Sequence, residues 1–292
     1  MSQMPYHELK ARERIRAIVD TGSFEEFIPP PERVMSTYLP KLGIPAAFDD
    51  GVAIGSALIR GQKVYLGAQT GQFVGGSVGE VHSAKLVGLL KAAARDKTPC
   101  VLLVESGGVR LHEGSSGEIG IAEAIRAVFA CRSVGATTIA VIGSDIGAYG
   151  GMGILSACCD RRLMTEHGRL GISGPIVIEK WMGKEAYDSS DRALVWKTSG
   201  GKTRYILGDV DALVNDSTAS VREGILSLLS KSAKPDLALA EARQASLQAR
   251  LDRFGKVGHP DEIWAACGIS DVAAATLDEA EEFVKSFTRK TP

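Results

Sequence analysis

Two glycine-rich stretches constrain this chain more than any other feature, each placed where an apolar run of strand length gives way to a helical pattern. The first is Val101-Leu102-Leu103-Val104-Glu105-Ser106-Gly107-Gly108-Val109-Arg110. The second runs from Ile139-Ala140-Val141-Ile142 through Gly143-Ser144-Asp145-Ile146-Gly147-Ala148-Tyr149-Gly150-Gly151-Met152-Gly153. Glycine has no Cβ, so the backbone comes close to a ligand and its N–H groups can face outward. A following helix adds unpaired N–H donors and the positive end of a dipole. Two such turns facing one another make a site for negative charge developing on oxygen.

The glycines make the case because they are not scattered: most of the 33 fall between residues 51 and 208, at the ends of apolar runs. The rest of the composition excludes more than it suggests. At 292 residues, 45% apolar and 24% charged, the chain can bury a sizeable core, and its net charge of −1 gives no electrostatic ground for binding nucleic acid or an anionic membrane. No apolar run approaches the roughly 20 residues of a membrane span, and Met1-Ser2-Gln3-Met4-Pro5-Tyr6 has no signal-peptide pattern. Cys100, Cys131, Cys158, Cys159 and Cys267 lie mostly inside apolar runs with no CxxC, which argues against structural zinc and a disulfide framework. The expectation is a reduced, cytoplasmic protein without a metal.

Along the chain, residues 8–28 read as a charged helix stopped by Thr21-Gly22, and Pro29-Pro30-Pro31 as a stiff extended connector. Residues 32–47 have no clear pattern. Val52–Ile59 and Val64–Gln69 flank the short turn Arg60-Gly61-Gln62-Lys63 as a hairpin. A helix with Leu86, Leu89, Leu90 and Ala93 on one face follows, then a strand at Cys100–Val104. The next helix, from about Ser116 to Val134, takes Ile121, Ile125, Val128 and Phe129 as its core face. A strand at 137–142, a short buried helix from Met152 to Cys159, and short strands at Arg162–Thr165 and Leu170–Ser173 complete the alternation. Strand–helix alternation with apolar runs implies parallel pairing with right-handed crossovers. It suits a doubly wound sheet as well as a spiral of β-β-α turns. After Asn215 only helices are expected: one capped by Asp216 through Leu229, one over 236–252, and a last opened by a capping box at Thr276-Leu277-Asp278-Glu279, with Ala280, Phe283, Val284 and Phe287 on its apolar side. The divisions are residues 1–50 (helix and connector), 51–215 (core) and 216–292 (helical extension of the same domain).

Three ordered motifs then carry a resemblance. Phe73-Val74-Gly75-Gly76-Ser77-Val78-Gly79-Glu80, Ser106-Gly107-Gly108-Val109-Arg110-Leu111-His112-Glu113-Gly114 and Gly147-Ala148-Tyr149-Gly150-Gly151 resemble the carboxyltransferase branch of the crotonase superfamily. Ala11-Arg12-Glu13-Arg14-Ile15 with Gly22-Ser23-Phe24-Glu25-Glu26 resembles the start of that family's chains, so the likeness covers about residues 10–215. Asp188-Ser189-Ser190-Asp191-Arg192-Ala193-Leu194-Val195-Trp196-Lys197 through Tyr205 is similar to the β subunits of biotin-independent malonate decarboxylases. The absence of a four-cysteine zinc ribbon and of a Met-Lys-Met biotinylation site agrees with this. The resemblance implies an α/β fold, a crotonase-like spiral of β-β-α units with a helical C-terminal appendage. It also implies a partner γ subunit of the same fold, and a malonyl thioester on the phosphopantetheine arm of an acyl carrier protein, with no cofactor bound covalently to this chain.

Decarboxylating such a thioester moves negative charge onto the thioester oxygen, and one preorganised donor aimed there is worth roughly 3 kcal/mol. By that analogy the donors are amides of Gly108, Val109, Gly150 and Gly151. Gly75, Gly76, Ser77, Gly107, Arg110, His112 and Tyr149 are the expected substrate-binding residues, with a structural turn the alternative for 75–77 and packing or solvated roles the alternative for Arg110 and His112, and Glu105 and Ser106 orient the first turn. Lys184, Lys197, Lys202 and Arg204 form a basic stretch, read first as a solvated face and second as a landing for an acidic carrier. Competing readings are a carboxyltransferase subunit of a biotin-dependent acyl-CoA carboxylase or decarboxylase, a serine peptidase built on Ser156 with His82, His112 or His167, and a non-catalytic scaffold. With one set of turns, the chain is expected to supply half of a site.

Overall fold

The computed structural model describes residues 5–287. Its centre is one seven-stranded sheet whose strands lie side by side in chain order: β1 (Glu25–Phe27), β2 (Val52–Ile59), β3 (Gln62–Gln69), β4 (Cys100–Val104), β5 (Thr138–Ile142), β6 (Arg161–Thr165) and β7 (Ala212–Val214). The first three pair antiparallel; from β3 onward every pairing is parallel. The hairpin between β2 and β3 is closed by two residues, Arg60 (φ 49°) and Gly61 (φ 74°). Two consecutive positive φ values give the turn whose twist matches that of the strands it joins.

The uninterrupted apolar character of β4 and β5 has a simple cause: both faces are covered. Cys100, Leu102 and Val104 enter one core cluster with α2 (Glu80–Asp96), α3 (Ser116–Ser133) and α4 (Gly150–Cys158). Val101 and Leu103 enter the other, with α1 (Ala11–Ile18) and α8 (Thr218–Leu228), the helix that follows α5 (Pro175–Met182), α6 (Arg192–Ser199) and α7 (Gly201–Ile206). Beyond α8 come α9 (Leu237–Phe254), α10 (Pro260–Ala266), α11 (Val272–Leu277) and α12 (Ala280–Ser286). Trp264 of α10 and Phe283 of α12 return to the first cluster.

Between strand and helix each repeat makes a further, smaller pairing. Isolated parallel bridges join Val78 to Val109, Ser106 to Ala148 and Ala148 to Leu170. The chain therefore winds as a spiral in which every turn contributes a sheet strand, a short bridge and a helix. This is the crotonase-like arrangement, and it places the glycine turns in register beside one another. No helix among the described residues is long and apolar enough to cross a membrane.

Several local expectations change. Residues 25–27 are an edge strand rather than the end of a helix, and Pro30–Glu32 form a 3₁₀ turn rather than an extended connector. Residues 170–173 form no strand: Leu170 bridges to Ala148 and donates its amide to Ser199 O. Phe129 lies on the exposed side of α3, while Ile121 and Val128 face the core. Ser217, not Asp216, caps α8 by accepting the Ser220 amide at 3.0 Å; Asp216 instead accepts the His7 amide. The proposed capping box is replaced by a long-range cap. Thr276 closes α11, its hydroxyl donating to Val272 O, and Asn215 Oδ1 accepts the Glu281 amide to start α12.

Candidate active site

Each turn follows the C-terminal end of a buried strand, so the sheet fixes where it begins. The first elbow, residues 105–110 after β4, is bound on one side by the 75–78 segment. Gly107 N–H donates to Gly75 O (2.9 Å), Val78 N–H to Gly108 O (2.9 Å) and Arg110 N–H to Val78 O (2.9 Å). The approach is close: a Cβ on Gly76, already at φ 65°, would stand 1.8 Å from Glu105 O. On the other side the second elbow is laced to the first, with Ser106 N–H donating to Gly147 O (2.7 Å) and Tyr149 N–H to Ser106 O (2.9 Å).

The two glycine turns meet at Gly108 and Gly150. A Cβ built on Gly150 would lie 3.1 Å from Gly108 Cα and 4.0 Å from Val109 N. Both glycines are in conformations other residues avoid, φ 133° and 55°. Their hydrogen bonds divide the four expected donors into two pairs. Gly108 N–H is taken by Ser106 Oγ (3.2 Å) and Gly150 N–H by Ile172 O (2.8 Å). Among the described residues the amides of Val109 and of Gly151, in the first turn of α4, have no acceptor. An unpaired N–H at a helix start is the ordinary consequence of helix geometry. Here two come from adjacent elbows.

The first elbow rests on buried charge. Arg14, on the packed face of α1, donates to Glu105 through Nη1 (2.8 Å) and Nη2 (3.2 Å), and Glu105 also accepts the Gly71 amide (3.0 Å). Arg110 turns away from the cleft: fully buried, it pairs with Asp50 (3.0 Å) and Glu113 (2.8 Å) and donates to Ser77 O. Its charge is spent inside the protein, so its expected substrate contact gives way to a bracing role. Behind it His82 is completely buried, and desolvation and the nearby Arg110 charge push it down to about 3. Asp50 is shifted up by burial, with Arg110 opposing.

The remaining expected residues distribute as follows. Gly75 borders open space at φ 63°, and the hydroxyl of the adjacent Ser77 is buried without a partner among the described residues. His112 is exposed beside the first elbow. Tyr149 is buried, its hydroxyl 3.3 Å from Ser199 Oγ, and burial raises its pKa. Gly151 packs so closely on α3 that a Cβ would meet Ile121 at 2.8 Å. The basic stretch is tied into local pairs, with Lys184 on the exposed surface. Lys184 and Lys197 pair with Asp188 and Asp261, Arg204 with Asp209, and Lys202 donates to carbonyls at 275, 276 and 278. Ser156 is fully buried and donates to Met152 O (2.7 Å), which removes it as a nucleophile.

Sequence reading missed the Arg14–Glu105 pair and Asp50. Arg14 carried a signal, a charge on the same helical face as Ala11, Ile15 and Ile18. The grouping nearest to a metal ligand set is His7, His167 and Asp216, with ligand atoms within 4.8 Å of one another. The two imidazoles are stacked at 3.9 Å and 9°, so their nitrogen lone pairs lie in parallel planes rather than converging.

Comparison with known proteins accords with this architecture. The carboxyl transferase domain model matches residues 2–256. The chain belongs to the carboxyl transferase domain family. Within that family it is 41% identical over 239 residues to the malonyl-S-ACP:biotin-protein carboxyltransferase MADC of Malonomonas rubra, covering 77% of this chain and 75% of the relative. It is 38% identical to a chain of a Pseudomonas malonate decarboxylase hetero-tetramer solved in complex with malonate, covering 88% of this chain and 92% of that one, with a TM-score of 0.79. A chain of the Pseudomonas malonate decarboxylase MdcD–MdcE hetero-dimer is 35% identical, covering 84% and 96%, with a TM-score of 0.67. The resemblance to malonate decarboxylase subunits read from residues 188–205 is thus shared by most of the chain.

Proposed function

We propose that this chain is the β-type subunit of a malonate decarboxylase, acting on a malonyl thioester carried by an acyl carrier protein. The observation that carries the reading is the pair of acceptor-free amides, Val109 and Gly151, on elbows that touch at Gly108 and Gly150. As the bond between the carboxylate carbon and C2 breaks, CO2 leaves and its bonding electrons form an enolate. The negative charge sits on the thioester oxygen, where the two N–H groups receive it. Each such donor is worth about 3 kcal/mol of barrier. Protonation at C2 then gives the acetyl thioester. Among the described residues at the elbows only exposed His112 is free to deliver that proton, which suits a site completed by a second, homologous subunit.

An apolar surface beside the second elbow supports such a partner. α5 buries none of its residues, and Ile172, Ile176, Trp181 and Met182 are between 61% and 87% exposed. Contiguous apolar exposure on this scale marks an interface.

A second reading shares the cleavage step and differs in where the carboxyl group goes. In the Malonomonas rubra relative's name the acceptor is a biotin protein. The test is the assembled complex, purified from its own cells and given carboxyl-labelled malonyl carrier protein. Label released as CO2 with acetyl carrier formed supports decarboxylation. Label recovered on a biotinylated protein moves the assignment to carboxyl transfer. Unchanged turnover in a Gly150→Val complex removes the elbows from either mechanism.

A further inference from the structure

α9 is eighteen residues long and buries none of them. Between it and the core lies a cavity of ≈ 600 Å³, within the range of small-molecule sites. Arginines from four elements converge there: Arg132 at the end of α3, Arg162 in β6, Arg204 in α7, and Arg243 and Arg250 in α9. The only acids lining it are Asp209 and Asp236. Asp209 is shared by Arg204 and Arg250, and Asp236 serves as the N-cap of α9. Below the lining, Asp160 pairs with Arg132, while Asp211 is divided between Arg161 and Arg162.

Positive charge therefore exceeds the carboxylates that meet it. Arg243 has no hydrogen-bond or ion-pair partner among the described residues, and the Nε atoms of Arg162 and Arg204 are buried with none. Partial desolvation against the cavity wall and the neighbouring Arg162 charge lower the pKa of the Arg243 guanidinium, although the residue as a whole stays exposed. Half-desolvated guanidinium groups of like sign this close are stabilised by an anion between them, and their planar forks match phosphate oxygens in pairs.

We propose that this cavity is a phosphate-binding site, taking a phosphate ester of a small organic group. Gly153, Gly171 and Ile172 border the same cavity, and the Ile172 carbonyl holds the Gly150 amide. A ligand here bears directly on the support of the second elbow. Two sources share this chemistry: the phosphate of a carrier arm, which alone rests on the malonyl-thioester reading, and a soluble phosphorylated metabolite.

The test is calorimetric titration of the full-length chain with inorganic phosphate and, separately, with phosphopantetheine. Saturable binding that Arg243→Gln weakens at least tenfold, Arg243→Glu abolishes and Lys91→Gln at an exposed position of α2 leaves unchanged is the expected result. Arg243 has no partner to lose, so both variants should unfold at the wild-type temperature, and that measurement accompanies the titration. Tenfold tighter binding of phosphopantetheine than of inorganic phosphate assigns the site to a carrier arm; equal affinities assign it to a soluble ligand. Absence of saturable binding, or binding that Arg243→Glu does not alter, overturns the proposal. No malonyl thioester enters the experiment, so its outcome is separate from that of the decarboxylation assay.

Discussion

The two glycine elbows do the same geometric job by different physical means. The first is braced by buried ions: Arg14 on Glu105 at its root, and Arg110 between Asp50 and Glu113 at its exit. Among the described residues the second has no buried ion pair and relies on close backbone contacts alone, of the kind Gly76 also makes beside the first. A Cβ at Gly147 would meet Arg169 O at 2.5 Å, and one at Gly153 would meet Gly171 O at 2.4 Å. The first elbow is joined to distant parts of the chain, α1 and the loop before β2, that share no strand with it. Directional charged hydrogen bonds specify such a contact better than apolar packing does. The second elbow meets the segment just past β6, the next turn of the spiral, where steric fit suffices. One elbow should be sensitive to charge and pH, the other to volume.

Glu105→Gln should give the largest change, because it leaves Arg14 buried without its counter-charge. Breaking a buried pair costs about 3–5 kcal/mol, read as a fall in unfolding free energy in urea. A change under 1 kcal/mol would show that charge is not what holds the first elbow. At the meeting point, Gly150→Ala introduces a methyl 3.1 Å from Gly108 Cα at φ 55°. It should lower kcat of the assembled enzyme by roughly 10²-fold or more, the scale of losing one oxyanion donor. Gly153→Ala should destabilise by about 1–3 kcal/mol through its backbone clash, equally at pH 5 and pH 7.

The pH response should belong to the first elbow. Between pH 6.5 and about 3 the unfolded chain takes up a proton at His82 that the folded chain refuses. Stability at this site is therefore full above pH 6.5 and declines as pH falls, by about 1.4 kcal/mol per unit, or about 2 kcal/mol at pH 5. Urea unfolding of His82→Gln across the same range should lack that slope. The smallest effect is expected from His112→Ala, within about 0.5 kcal/mol of wild type for a surface residue. If it nevertheless stops turnover, the proton comes from this chain and the first elbow carries chemistry as well as geometry.

Much of the fold was readable because its signals are local. The apolar runs read as strands at 100–104 and 137–142 are β4 and β5, and the β2–β3 hairpin, α2, α3 and α4 lie close to where periodicity and glycine placement put them. Residues 174–208 carried a family likeness yet hid three short helices, α5 to α7, whose apolar residues do not keep one face.

Within the candidate site the sequence by itself determined that two glycine turns would each close a strand and open a helix, because absent side chains and apolar run lengths are properties of the chain. Which amides stay free was decided by tertiary structure alone. Ser106 Oγ takes Gly108, Ile172 O takes Gly150, and Val109 and Gly151 remain. The same is true of Arg110, which reads as a cleft residue in sequence and becomes a buried brace because Asp50, sixty positions earlier, is folded against it. A hydrogen bond is settled by where its partner ends up, and for these groups the partner comes from another turn of the spiral.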